Sequence, residues 1–227
     1  ELTDDLQKGY QSDGLIMDFS KAFDKVCHSL LTHKQAYYGI KGQVNTWIKN
    51  FLSDRQQAVV VEGAISSFVP VQSGVPQGSV LGPSLFLLYI NDLPTSLSSI
   101  ARLFADDTMA HKCVCSSLDQ QTLQCDLNHL AEWEQTWMMK FHPDKCHTLH
   151  ISRKRDPMSH SYSLHGHSLS TVQEAKYLGV TITANLTWNT HIINITNKAS
   201  STLGFLHRNL KVRSKNVKSL AYIALVR

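Results

Sequence analysis

Two adjacent carboxylates, Asp106 and Asp107, follow the short apolar run Ile100–Ala105 and precede a second run of mixed apolar and polar residues. That pattern reads as strand, tight turn, strand, with the acids at the tip of a hairpin. Like charges side by side raise each other's pKa, so such a pair is costly unless a cation binds it. Taken alone, Asp-Asp is an ordinary polar turn. A second acid placed in the same way overturns that reading, because Gly14–Asp18 is another short apolar strand ending in a carboxylate. If the two strands are neighbours, Asp18 and Asp106 converge on one point from separate parts of the chain. Oxygen-only ligands, with no His or Cys required, suit Mg²⁺ and not Zn²⁺.

The rest of the chain sets bounds on what can surround that point. Its 227 residues are enough for one good core, and 42% apolar with 18% charged residues is the balance of a folded globular protein. A formal net charge of +4 permits a polyanionic partner without demonstrating one. The five Cys are irregularly spaced and form no Cys/His knuckle, so they read as free thiols. No run of eighteen apolar residues and no signal peptide is present, which gives no membrane partner and an intracellular setting, nucleus or cytoplasm undecided. The chain begins at Glu1 without Met and stops inside a helical pattern at Ala224–Arg227, as an excised domain would.

Local patterns predict the elements. Residues 3–9 end a helix closed by Gly9, strand 14–18 follows, and Ser20 is expected to cap a helix reaching Tyr38, with Gly39 beyond its end. Val44, Trp47, Ile48, Phe51 and Leu52 predict an amphipathic helix over 42–53, and residues 56–61 and 65–71 a hairpin turning at Glu62-Gly63-Ala64. A Gly/Pro/Ser-rich loop, 73–84, enters an apolar helix at about 84–92 that Pro94 ends. Leu123, Leu127, Leu130, Trp133 and Trp137 stripe one face of a long helix at 119–139. Strands are expected at 146–151, 162–165 and 177–182, with Gly166 turning between Leu164 and Leu169. From Trp188 onward the pattern is helical and basic, with Lys198, His207, Arg208, Lys211, Arg213, Lys215, Lys218 and Arg227. Hairpins mixed with long helices, in place of regular strand-helix-strand units, favour an α+β fold.

Three blocks carry a resemblance. Asp18-Phe19-Ser20-Lys21-Ala22-Phe23-Asp24-Lys25-Val26 resembles polymerase motif A, Ser73–Pro83 resembles motif B, and Phe104-Ala105-Asp106-Asp107 resembles motif C. Their order and spacing resemble the reverse transcriptases of non-LTR retrotransposons, the LINE-like and jockey-like elements. Viral RNA-dependent RNA polymerases share the acids but typically place Gly before the Asp pair and a polar residue where Phe23 stands. Group II intron and telomerase enzymes share the palm. Departures are Cys27, where relatives often carry Pro, and His142, where they carry Asn.

The resemblance implies a polymerase palm over 1–185, an antiparallel sheet backed by helices, with a finger-like insertion at about 40–72 and the start of a helical thumb over 186–227. It implies an RNA-directed DNA polymerase that joins dNTPs to a DNA primer on an RNA template. Two Mg²⁺ ions about 3.5–4 Å apart, with Mn²⁺ as a substitute, would be held by Asp18, the Phe19 backbone, Asp106 and Asp107. Phe23 would sit under the incoming sugar as a steric gate, and Ser20, Lys21 and Ala22 would offer backbone N–H groups to the triphosphate. Gln77 and Gly78 would face the nascent pair, Lys145 would protonate or neutralise the leaving pyrophosphate, and Tyr177-Leu178-Gly179 would grip the primer. Further fingers, an endonuclease and more thumb are expected in a parent polyprotein. The alternative is a catalytically silent, host-retained nucleic-acid-binding domain.

Overall fold

The structure is a computed structural model that describes residues 1–212 and 214–226. Arg213 and Arg227, two of the basic residues singled out in the C-terminal helices, lie outside the described residues. Contacts divide the chain into two compact units, Glu1–Val172 and Gln173–Arg227.

In the first unit, helix α1 (Leu2–Gln7) leads into strand β1 (Gln11–Asp18), longer than its apolar run because polar Gln11, Ser12 and Asp13 are buried as well. The chain continues through α2 (Ala22–Lys25), α3 (His28–Tyr37) and α4 (Gly42–Leu52). A ribbon follows, with β2 (Gln56–Gln57) paired to β5 (Val69–Pro70) and β3 (Val60–Val61) paired to β4 (Ala64–Ile65). Then come α5 (Leu81–Ile90), a 3₁₀ turn at Leu93–Ser96, β6 (Ile100–Phe104), β7 (Asp107–Val114) and α6 (Ser117–Trp137). The unit closes with β8 (His147–Ile151), β9 (Ser163–Leu164), β10 (His167–Ser168) and β11 (Ser170–Val172).

The central sheet has the order β11-β8-β1-β7-β6, antiparallel except for the parallel β11–β8 pair. β1 lies in its middle, flanked by β7 and β8, and so carries no free edge. Alternation sends Leu15 and Met17 into the helical layer while Asp18 falls on the other face. Leu123, Leu127, Leu130 and Trp133 of α6 meet Leu85, Phe86, Tyr89 and Ile90 of α5 in that core. The long helix starts at a capping box formed by Ser116 and Asp119, which satisfies two orphan donors at its N-terminus.

Three expectations need correction. Ser20 caps nothing: the left-handed Lys21 (φ +53°) precedes α2, and the helix predicted to reach Tyr38 breaks at Val26–Cys27 into α2 and α3. The amphipathic helix expected over 42–53 is present as α4, with Ile48 and Leu52 buried and Val44 and Trp47 exposed. The strand expected at 177–182 is two, β12 (Glu174–Tyr177) and β13 (Val180–Thr183), turning at Leu178-Gly179. β11 was not predicted at all, since Ser170–Val172 is too short and polar to signal a strand.

The Trp residues of α6 close around a cation. Lys34 of α3 is buried with its ammonium 3.5 Å from the Trp137 ring centroid and 5.1 Å from those of Tyr89 and Trp133. It donates to Tyr89 O and to Asp92 Oδ1, and burial lowers its pKa. This binds α3 to α5 and α6 through one charge that is hydrogen-bonded twice and faced by aromatic rings.

In the second unit the β12–β13 hairpin precedes α7 (Asn189–Asn209) and α8 (Lys215–Leu225). Neither helix has a buried residue, and a cleft of about 530 Å³ between them is lined by Leu203, Leu206, Leu210 and Tyr222 among others. Among the described residues no helix is long and apolar enough to cross a membrane.

Candidate active site

The acidic centre is built by strand register. Asp18, the last residue of β1, stands directly opposite Asp107, the first of β7, and Asp106 lies in the turn from β6 to β7. Directly opposed residues in an antiparallel pair share a face with Cβ atoms about 4.5–5.5 Å apart. Two residues, Ala105 and Asp106, make the connection, and Ala105 takes a left-handed φ of +52°. Burial, then the charges of Asp106 and Asp18, raise the pKa of Asp107. Three carboxylates at one end of the sheet thus concentrate negative charge.

The other flank of Asp18 is held by the segment that follows α6. Phe141 bridges Phe19 in antiparallel fashion, through Ser20 N–H donating to Lys140 O and His142 N–H donating to Asp18 O, each at 2.8 Å. The Phe19 and Phe141 rings stack at 4.1 Å between centroids. The same segment delivers Lys145, whose Nζ donates to Asp18 Oδ2 at 2.9 Å. That hydrogen bond, with the charges of Asp18 and Asp106, raises the Lys145 pKa. The amide of Ser20 is therefore committed to Lys140.

Motif B straps down the residue beside this centre. Val75 N–H donates to Phe23 O and Gly74 N–H to Val26 O, each at 2.8 Å, and His28 Nε2 lies 2.7 Å from Gly74 O. Gly74 has φ +89°, and a Cβ there would lie 2.8 Å from Asp24 Cα and 2.9 Å from Phe23 O. Only glycine fits that approach. Phe23 stacks on buried Phe86 of α5 at 4.5 Å between centroids. Gln77 Nε2 donates to Asp24 Oδ1 at 3.1 Å, which gives Asp24 a partner that its position early in α2 did not reveal.

The first unit therefore brings together Asp18, Asp106, Asp107 and Lys145, with Phe23, Gln77 and Gly78 on the adjoining α2 and motif B loop. Tyr177, Leu178 and Gly179 form a hairpin turn of the second unit. Among the described residues no three Asp, Glu, His or Cys side chains are drawn close enough to enclose an ion as they stand. The donor set nonetheless fits a hard divalent cation: it is all oxygen, its charge is uncompensated at Asp107, and one Asp18 oxygen already takes a cationic group, the Lys145 ammonium. His28 and Phe86 were missed from the sequence, because each acts through a contact between segments that are distant in the chain.

Comparison with known proteins gives the family. The family model described as reverse transcriptase (RNA-dependent DNA polymerase) matches residues 4–182. The chain is 34% identical over 191 residues to the RNA-directed DNA polymerase from mobile element jockey of Drosophila melanogaster, covering 80% of this chain and 21% of that protein. It is 30% identical over 220 residues to the jockey protein of Drosophila funebris, covering 92% of this chain and 24% of the relative. The chain thus spans between a fifth and a quarter of the length of these relatives. Among solved structures, telomerase from Candida tropicalis in complex with a fragment of telomeric RNA matches with a TM-score of 0.55 at 13% identity, over 89% of this chain and 36% of that one. That likeness is one of fold.

Proposed function

The chain belongs to the reverse transcriptase family, and from that premise we propose that it is the catalytic core of an RNA-directed DNA polymerase, adding dNTPs to a DNA primer on an RNA template. The observation that carries this reading is the register that sets Asp18 opposite Asp107 with Asp106 in the adjoining turn. In this reading residues 1–185 are palm, about 40–72 a finger-like insertion, and 186–227 the start of a thumb.

Asp18, Asp106, Asp107 and the Phe19 backbone would hold two Mg²⁺ ions. Bound there, the ions would activate the primer 3′-hydroxyl and stabilise the charge of the departing pyrophosphate. The residues of the chain do the rest. Lys145 keeps its charge at Nζ beside Asp18, which suits it to neutralise the pyrophosphate more than to protonate it. Phe23, backed by Phe86 and strapped by Val75, presents a ring that cannot retreat, so a ribose 2′-hydroxyl would meet it. Gln77, braced by Asp24, faces the nascent pair, and the Tyr177-Leu178-Gly179 turn grips the primer.

The test is primer extension on an RNA template with Mg²⁺, offering dNTPs or NTPs. It uses the 227-residue chain and a chimera in which this chain replaces the matching part of a jockey relative. Extension with dNTPs alone, abolished by Asp106→Asn, is the expected result. A chimera that binds primer–template but never extends it would overturn the reading and favour a retained binding domain.

A further inference from the structure

The segment that carries Lys145 is set by a buried acid outside the three motifs. Glu134, in the last turn of α6, is 1% exposed, although carboxylates are among the residues least often buried without a partner. Its main chain and side chain both serve the reversal after the helix. Glu134 O accepts the N–H of Met138, the left-handed C-cap, and that of Met139 at 3.2 Å. Glu134 Oε1 accepts the N–H of Phe141. Glu134 Oε2 lies in contact with His165 Nε2. His165 and Gly166, at φ +53° and +75°, form the two-residue turn between β9 and β10, the geometry that aims the imidazole back at α6.

Phe141 is the middle residue of the bridge to Phe19. Its neighbours Lys140 and His142 use their main-chain groups on Ser20 and Asp18, while its own N–H points the other way, to Glu134. The strip 140–142 is thus clamped from both sides, and Lys145 follows it after one 3₁₀ turn at Pro143–Lys145. A Leu at position 134 would leave the Phe141 amide buried without an acceptor.

Building on the reverse-transcriptase reading, we infer that Glu134, oriented by His165, is a positioning residue of the active site: it fixes the strip 140–142 and through it the placement of Lys145 against Asp18. It touches neither substrate nor the proposed metal ligands. Its effect therefore falls on the chemical step, because a displacement of about 1 Å in a catalytic group costs up to about a hundredfold in rate.

Single-nucleotide incorporation is measured for Glu134→Ala, Glu134→Gln, His165→Gln and Lys145→Ala, and for Glu134→Ala combined with Lys145→Ala, in the preparation that extends primers. Glu134→Ala is expected to lower the maximal rate by about tenfold or more, with the dNTP concentration for half-maximal rate unchanged. Glu134→Gln, which keeps an acceptor for Phe141, restores most of it, and His165→Gln gives an intermediate loss. In the Lys145→Ala background the Glu134→Ala loss largely disappears, because residues acting as one unit are not additive. Hydrogen exchange of the Phe141 and His142 amides is read in parallel on the 227-residue chain. Exchange faster in Glu134→Ala and parent-like in Glu134→Gln supports the inference. If Glu134→Ala fails to fold, the Glu134→Gln and His165→Gln rates and exchange decide. A Glu134→Ala loss that adds in full to that of Lys145→Ala, or unchanged exchange at Phe141, would overturn it. If no preparation extends a primer, the polymerase reading fails separately, and the exchange data still decide whether Glu134 holds the strip.

Discussion

Asp107 is held at a cost to the fold. Although the residue is exposed at the start of β7, desolvation and then the charges of Asp106 and Asp18 push its carboxyl up, so the folded state resists its ionisation. An acid whose pKa is raised on folding opposes folding at pH values above that pKa and is neutral in effect below its unfolded pKa. Asp107→Asn should therefore raise the melting midpoint at pH 7 without added metal, and the gain should vanish as the pH falls through the carboxylate range. Thermal melts from pH 3 to pH 8 would show this, and a variant less stable than the parent at neutral pH would contradict it. The same substitution should abolish extension, an exchange of stability for function common at active sites. Phe23 makes a separate prediction. Phe23→Val removes the ring that Phe86 backs, so discrimination against NTPs in primer extension should fall by about tenfold or more.

Among the elements, the contact between α2 and the motif B loop leaves no room for a side chain at Gly74. A Cβ at Gly74 would lie within 2.9 Å of main-chain atoms of Asp24 and Phe23, where no flexible side chain can yield, and φ +89° adds strain. Gly74→Ala should cost about 3 kcal/mol in stability, measured by urea unfolding. Extension by what remains folded should fall as well, because the loop that straps Phe23 has moved. By contrast Gly166 and Gly179 have no neighbour within 4 Å of a built Cβ, so alanine there meets only backbone strain. The exposed ribbon over 56–70, with Val59, Val60, Val61, Ile65 and Phe68 in solvent, contributes nothing to the core and should tolerate polar substitution on stability grounds.

For the chain as a whole, every residue of the main hydrophobic cluster falls between Leu15 and Leu169, inside the first unit. Residues 1–172 should consequently fold without the rest. A chain ending at Val172 is expected to keep a cooperative melt with a midpoint within about 5 °C of the parent, followed by circular dichroism. Loss of cooperativity would show that Gln173–Arg227 is needed for that core. The cluster around Lys34 belongs to this scale too, since it joins three helices. Removing its charge while Asp92 remains should cost several-fold more than removing an exposed lysine.

What the sequence determined by itself was whatever depends on short-range pattern. Alternation and turn residues placed Asp106 and Asp107 on a hairpin, the leucine and tryptophan stripe placed α6, and the three blocks carried the family and with it the candidate acids. Helix starts were less legible: Ser20 has the chemistry of a cap, but a left-handed Lys21 and the bridge to Phe141 take its place. The tertiary structure alone decided which distant groups share a buried charge or an amide. Lys34 finds Asp92, Gln77 finds Asp24, and Glu134 finds both Phe141 and His165. Periodicity reports only which way a side chain faces. The partner that makes burial of a charge tolerable is chosen by packing between elements, and no local pattern encodes it.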